Sequence, residues 1–417
     1  MRIFIGCEEI ASIISRLAEG FRACGHEVTT LVRSYNHFYK NQYTYNLDFL
    51  SGIIDRRKLK SGFADATYGA FNLTMRSVYT RLLFSRWLNE HDVFIFQWNS
   101  ILQGYADLSV LRKHNKKIAI FFVGSDIREP HAFRQEFQQD VSGWDPKYFT
   151  DVNRKIRWLR MTELYSDALF TAPDAAGLMV RPYHHLYLPF PAKEYRFKFT
   201  NNQVLKVLHA PSSPSIKGTD VILATLNRLK NEGIPIEITL LSGVPHEQLK
   251  IVLEESDVLV DELILHGPGM LGLEAMASGC AVATRFLDGY SNVFNAPVCS
   301  INPQNIYEQL KRLLTDNEYR AELTQKGREF VNKMDSATVA SNVLQTLMNK
   351  SGSPDYFPRF YLTNYKMPQG MAINEENLRL TSEVIRKFGM PRGVNLQRAA
   401  EEKLIFPLPD KLNITEW

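Results

Sequence analysis

Short apolar runs alternate with stretches of helical periodicity along most of the chain. Arg2–Gly6 reads as a strand, and Ile10–Cys24 repeats Ile10, Ile13, Ile14, Leu17 and Phe21 at helical spacing. Gly25 closes that helix, and His26–Val32 is the next strand. Val93–Gln97, Ile118–Val123 and Ala168–Thr171 follow, each apolar enough to be buried on both faces. Strands of this kind separated by helices predict a parallel sheet wrapped by helices.

Pro189 and Pro191 in LPFPAKEYRF interrupt the pattern, which resumes as a second alternation. Val204–His209, Ile236–Leu241, Val258–Asp261, Ala281–Thr284 and Val298–Ile301 read as strands, and Lys217–Asn231 and His246–Glu255 as helices. Pro303–Lys350 is mainly helical, and Asn374–Phe388 carries one clear helical pattern. The expected division is residues 1–190, a second domain at 191–334, a helix at 335–350 returning toward the first, and an extension at 351–417 whose role is not legible.

With 417 residues, 45% of them hydrophobic and 12% aromatic, the chain can bury two cores. The net charge of +4 comes from scattered basic residues, which speaks against generic nucleic-acid binding. Cys7, Cys24, Cys280 and Cys299 lack C-x-x-C spacing and read as buried free thiols in a reducing compartment. MRIFIGCEEI opens directly as a strand, and no run has the length of a membrane span, so a cytoplasmic protein is expected.

The chemistry concentrates in LILHGPGMLGLEAMASGCAV, residues 263–282. Gly267, Gly269 and Gly272 permit a sharp turn close to a ligand, and a helix starting near Leu271 offers unpaired N–H groups and a positive dipole end. Such an end holds phosphate, and Glu274 on its first turn can reach the hydroxyls of an attached sugar. A second loop, HAPSSPSIKGTD, follows the first strand of the second domain. There Ser212, Ser213 and Ser215 supply hydroxyls, and Lys217 supplies a mobile positive charge near a helix start, suited to a departing diphosphate. Both loops leave the carboxyl edge of one doubly wound sheet, where ligands bind.

These residues together resemble the retaining nucleotide-sugar glycosyltransferases of the GT-B fold, of the glycosyltransferase family 4 type. HAPS…KGTD is similar to that family's phosphate loop, LEAMASGCAV to its donor-binding helix, FFVGSDIR to its glycine-containing strand end and LPFPAKEYRF to its interdomain connection. The likeness spans roughly residues 1–349 and is strongest over 204–284. It implies an α/β architecture of two Rossmann-like doubly wound domains facing a cleft, with a C-terminal extension. It also implies hexosyl transfer with retention from a nucleotide-sugar, a co-substrate rather than a cofactor, to a glycan or lipid-linked acceptor in polysaccharide biosynthesis, without metal.

Carried over, Lys217 contacts the donor diphosphate, Glu274 the ribose, and Gly269, Met270 and Leu271 present amides. Ser212 stands where the family commonly has an arginine, His266 where it has a glutamate facing the donor sugar, and Val123 where many members have a histidine. A GT-B protein that binds a nucleotide-sugar without transferring it is the alternative those positions suggest. GPGMLG also matches G-x-G-x-x-G, with Asp288 downstream, the pattern of an NAD-dependent oxidoreductase.

In the first domain, Gly6, Glu8 and Glu9 end one strand and Ser125, Asp126 and Arg128 follow another, placing them at the acceptor side. Asp126 is, with Lys217, a candidate catalytic residue; Asp126 and Arg128 can orient an acceptor or close the domains through a salt bridge, and Glu8 and Glu9 can act on an acceptor hydroxyl or form a solvated pair. His184 and His185, adjacent in a strand, point to opposite faces and do not make a metal site. Arg56, Arg57, Lys58 and Lys60 precede an apolar stripe of Val78, Tyr79, Leu82, Leu83 and Trp87. That stripe either packs into the core or rests on an anionic membrane.

Overall fold

Apolar segments of three to six residues form the central strands, and the chain gathers them into two separate sheets. The structure is a computed structural model describing residues 1–33, 41–49, 62–149, 151–199, 202–287, 292–348, 353–408 and 414–417. Arg56, Arg57, Lys58, Lys60 and Asp288 lie outside these residues. Residues 1–138, 146–186 and 340–417 make one compact unit, and 139–145 with 187–339 make the other.

The first unit holds β1 (Arg2–Cys7), β2 (Glu27–Val32), β3 (Tyr45–Asn46), β4 (Val93–Gln97), β5 (Lys117–Phe121), β6 (Ala168–Thr171) and β7 (His184–His185). Their order is β3-β2-β1-β4-β5-β6-β7, every neighbouring pair parallel. Ile3 pairs with Val28 on one side and Val93 on the other. Residues 93–97 of β4 are all buried, as expected for a strand covered on both faces. Phe94 and Phe96 point into a core shared with Phe4, Trp87 and Ile120.

The C-terminal segment completes that core. Tyr361, Tyr365, Val384, Ile385, Leu404 and Ile405 belong to the same cluster as Phe94. Helix Glu375–Phe388 lies on helix Val152–Tyr165. Between them the Arg160 guanidinium donates to Glu163, to the Leu178 carbonyl at 2.7 Å and to the Thr381 hydroxyl at 2.8 Å. Arg160 and Glu163 are fully buried, so each needs the other and these hydrogen bonds.

The long helix Gly62–Glu90 divides the stripe read from the sequence. Trp87 is fully buried, Tyr79 and Leu83 pack against the core, but Val78 is 50% and Leu82 73% exposed. At 100° per residue, positions 78 and 82 lie well away from 79, 83 and 87. No helix among the described residues is long and apolar enough to cross a membrane. Cys7, Cys280 and Cys299 are buried free thiols; Cys24 is exposed, because it follows the last turn of helix Ile13–Ala23.

The second unit is a five-stranded parallel sheet in the order β12-β11-β10-β8-β9. Its strands are β8 (Leu205–His209), β9 (Ile236–Leu240), β10 (Val258–Val260), β11 (Ala281–Thr284) and β12 (Cys299–Ser300). Val207, Ile222, Leu226, Val258, Ala281 and Leu310 form its core.

Candidate functional site

In the second sheet β8 lies between β9 and β10, so the chain winds outward in two directions from the β8/β10 pair. Loops leaving such a switch point diverge and open a crevice beyond the strand ends. His209, the last residue of β8, pins this place. Its Nδ1 donates to the Val260 carbonyl at 2.7 Å and its Nε2 accepts from the Thr219 hydroxyl at 2.9 Å. Burial holds its pKa below the usual value, in keeping with a neutral ring.

The loop after β8 becomes a four-residue helix, Pro214–Lys217, capped by Gly218 at φ +73°. Ser212 is exposed and Ser213 is the N-cap. Lys217 therefore ends a short helix instead of opening a long one, and the following helix is Thr219–Asn231. Nor is the side chain mobile: Lys217 is 8% exposed, with Nζ on Asp261 Oδ1 and 3.3 Å from Glu262 Oε1. Burial works against its charge, but Asp261 and Glu262 outweigh that and raise its pKa above the usual lysine value.

The glycine turn meets this cluster. Leu263 N–H donates to the Lys217 carbonyl at 3.1 Å, joining the two loops. Helix Met270–Ser278 starts after its N-cap Gly269, and Leu273 N–H to the Gly269 carbonyl is its first internal bond. The amides of Met270, Leu271 and Gly272 are the ones a helix start leaves without internal partners. Asp261 links the lysine to this start: Oδ1 holds Lys217, and Oδ2 lies 3.7 Å from where a Gly272 Cβ would be. The lysine and the helix start thus converge on one carboxylate.

Packing accounts for two of the three glycines. A Cβ at Gly267 would collide with Thr284 Oγ1, and one at Gly272 would stand 2.6 Å from Pro268 Cβ. Gly269 has open space around it. The turn follows the third strand of its sheet, whereas a dinucleotide fingerprint follows the first.

Glu274 is buried and accepts from His246 Nε2 at 2.8 Å. That bond, more than the opposing effect of burial, raises the His246 pKa. His266 is half-buried in the loop between β10 and the helix. His209 entered the sequence reading only as the first residue of HAPSSPSIKGTD, its Val260 partner lying 51 residues away, and His246 did not stand out, its partner lying 28 residues away.

The first sheet has its own switch point between β1 and β4. Gly6 is buried inside β1, where an added Cβ would stand 3.0 Å from the Leu31 carbonyl oxygen, so it serves strand packing. Glu9 is buried, not solvated. It accepts from Ile14 and Ser15 N–H, the Ser15 hydroxyl and the Tyr43 phenol, anchoring the start of helix Ile13–Ala23. Glu8 is half-buried and faces Asn99 Nδ2 at 3.4 Å.

Asp126 is buried, and its oxygens accept the N–H groups of Val123, Gly124 and Ile127 at 2.9–3.1 Å. Burial lifts its carboxyl to about 6 against these bonds and Arg128. Arg128 pairs with Asp174, and this salt bridge is internal to the first unit rather than one that joins the two domains.

A cavity of about 480 Å³ opens in the first unit beside the Ser125–Asp126 loop. Its aromatic walls are Trp98, Tyr105, Tyr148 and Trp158, with Tyr105 and Trp158 stacked at 4.3 Å. Asn99, Arg154 and Lys155 add polar groups. Lys155 is buried and donates to the carbonyls of Arg128 and Tyr148; burial lowers its pKa to about 8 against the pull of Glu129 and Asp126.

Residues 223–330 match the family described as glycosyl transferases group 1. The matched span includes the glycine turn and Glu274 and begins after Lys217. Among solved structures, sucrose-phosphate synthase from Thermosynechococcus elongatus superposes with a TM-score of 0.52 at 14% identity, over 84% of this chain and 100% of that one. TarM gives 0.53 at 10% identity, over 83% and 98%, and trehalose-6-phosphate synthase OtsA gives 0.52 at 12%, over 85% and 99%. No curated protein matches the chain. The two parallel α/β units and these likenesses make the fold GT-B, as the sequence resemblance implied. The family match supports glycosyl transfer.

Proposed function

We propose that the protein transfers a hexosyl group, with retention, from a nucleotide-sugar to a glycan or lipid-linked acceptor in polysaccharide biosynthesis. The observation that carries this reading is the convergence of Lys217 and the Met270 helix start on Asp261, at the switch point of the second sheet. The diphosphate lies against the amides of Gly269, Met270 and Leu271, where a helix start favours an anion. Ser212 and Ser213 border it, His266 faces the donor sugar, and Glu274 binds the ribose.

Lys217 exchanges a carboxylate for the diphosphate, and the half-buried Glu262 at 3.3 Å is the cheaper one to release than buried Asp261. As the bond from the anomeric carbon to the diphosphate oxygen breaks, negative charge grows on the leaving group. One such preorganised donor is worth roughly 2.7–4 kcal/mol when it meets developing charge. Asp126 holds the Val123–Ile127 loop in shape, and Glu8 and Ser125 lie nearest the acceptor hydroxyl. In this reading the reaction needs no metal or further cofactor. The protein works in the cytoplasm, with Val78 and Leu82 as its contact with the inner membrane face.

Thermal shift against a panel of nucleoside diphosphates and their sugars tests the donor site. One diphosphate should raise Tm, and Glu274→Ala should lose most of that shift; a flat panel refutes the reading. A second reading is nucleotide-sugar binding without transfer, favoured by the engagement of Lys217 and Glu274 with protein partners. Donor binding with neither transfer nor donor hydrolysis over a broad acceptor panel would select it.

A further inference from the structure

The cavity of the first unit is built unlike a neutral sugar site. Trp98 and Tyr105 both adopt left-handed backbone conformations, φ +67° and +63°. Bulky residues rarely take that region, and such conformations persist where function holds them. The two side chains form walls of the same cavity.

Its charged lining is weighted toward donors, with Arg154 and Lys155 set against a single carboxylate, Asp126. The Asp126 oxygens are taken by three backbone N–H groups. Lys155 has two of its three N–H directions on carbonyls, and Arg154 adds a second cation at the exposed rim.

Resting on the saccharide-transfer reading above, we propose that this cavity seats a saccharide unit bearing a phosphate or a carboxylate. Its ring lies against Trp98, Tyr105 and Trp158, and its anionic group lies toward Arg154 and Lys155.

The test titrates the full chain with glucose, glucuronate, glucose 6-phosphate and inorganic phosphate, followed by tryptophan fluorescence. A charge-assisted contact makes the anionic sugar at least about tenfold tighter than glucose. Whether glucuronate or glucose 6-phosphate gains identifies the anion. Arg154→Gln should raise that Kd to the value for glucose. Trp98→Asn suits a left-handed backbone, so it should abolish saccharide binding without lowering Tm.

Equal affinity for glucose, binding of inorganic phosphate as tight as glucose 6-phosphate, an unaltered Kd in Arg154→Gln, or no binding of any probe overturns the proposal. The nucleoside diphosphate melting shift, measured on the same samples, reports the second unit. Its absence with saccharide binding intact removes the donor reading and leaves the cavity assignment standing.

Discussion

Replacing Lys217 by methionine keeps most of the side-chain volume and removes the charge that Asp261 and Glu262 share. Glu262 is half-buried and water can answer for it, but Asp261 is 1% exposed and its Oδ2 already lacks a hydrogen bond. Breaking a buried pair from one side costs roughly 3–5 kcal/mol, because the other charge stays behind. In a domain of this size each kcal/mol moves Tm by roughly 2–4 °C, so Lys217→Met should melt about 10 °C lower. Adding Asp261→Asn removes the stranded charge and should recover more than half of the loss. Differential scanning calorimetry of the single and double variants closes the cycle. A Lys217→Met protein that melts like the parent, or a double variant no better than the single, would refute the buried-pair account. The double variant also separates chemistry from folding. If it melts near the parent and transfers no sugar, the Lys217–Asp261 pair acts on the reaction itself.

Three further outcomes follow from the geometry. Burial, with Asp174 adding, raises the Glu136 carboxyl to about 8. The folded chain therefore keeps a proton that the unfolded chain releases above its ordinary value, and stability falls as pH rises toward 8. Glu136→Gln should gain Tm at about pH 9 and little at about pH 4; an equal difference at both would contradict this. Gly279 sits at φ +100°, and a Cβ there would collide with the Lys198 carbonyl. Gly279→Ala should cost at least about 2 kcal/mol, read from urea midpoints. Finally, Glu274→Ala should return the His246 pKa toward its ordinary value, followed by NMR titration; a pKa that stays raised would mean another group holds the proton.

Most of the strands were legible because parallel strands buried on both faces are continuous apolar runs. Val93–Gln97, Ala168–Thr171 and Ala281–Thr284 have the bounds expected. β3 is two residues long and leaves no periodic trace. Lys217 was placed on the wrong end of a helix because PSIKGTD reads equally as a start and as a stop; the φ of Gly218 decides it. The pairing of the two loops could be expected from strand order, but Asp261 as their common partner could not. In the segment after residue 353 the helix Glu375–Phe388 was legible, but the role of the segment was not, for the same reason. Thr381 and Tyr361 contact Arg160 about two hundred positions earlier, and nothing local announces that.

That long reach sets an order on biosynthesis. A ribosome releases the chain from one end, and folding units tend to complete as they emerge. The second unit, contiguous but for a short stretch, is whole by about residue 339, while the first still lacks its last helices. Until Thr381 leaves the exit tunnel, the Arg160 guanidinium has one hydrogen-bond acceptor fewer and the Phe94 core is unsealed. Residues 1–138 are thus made early and mature late, and the nascent first unit depends on residues 353–417 arriving before an unclosed sheet finds another chain.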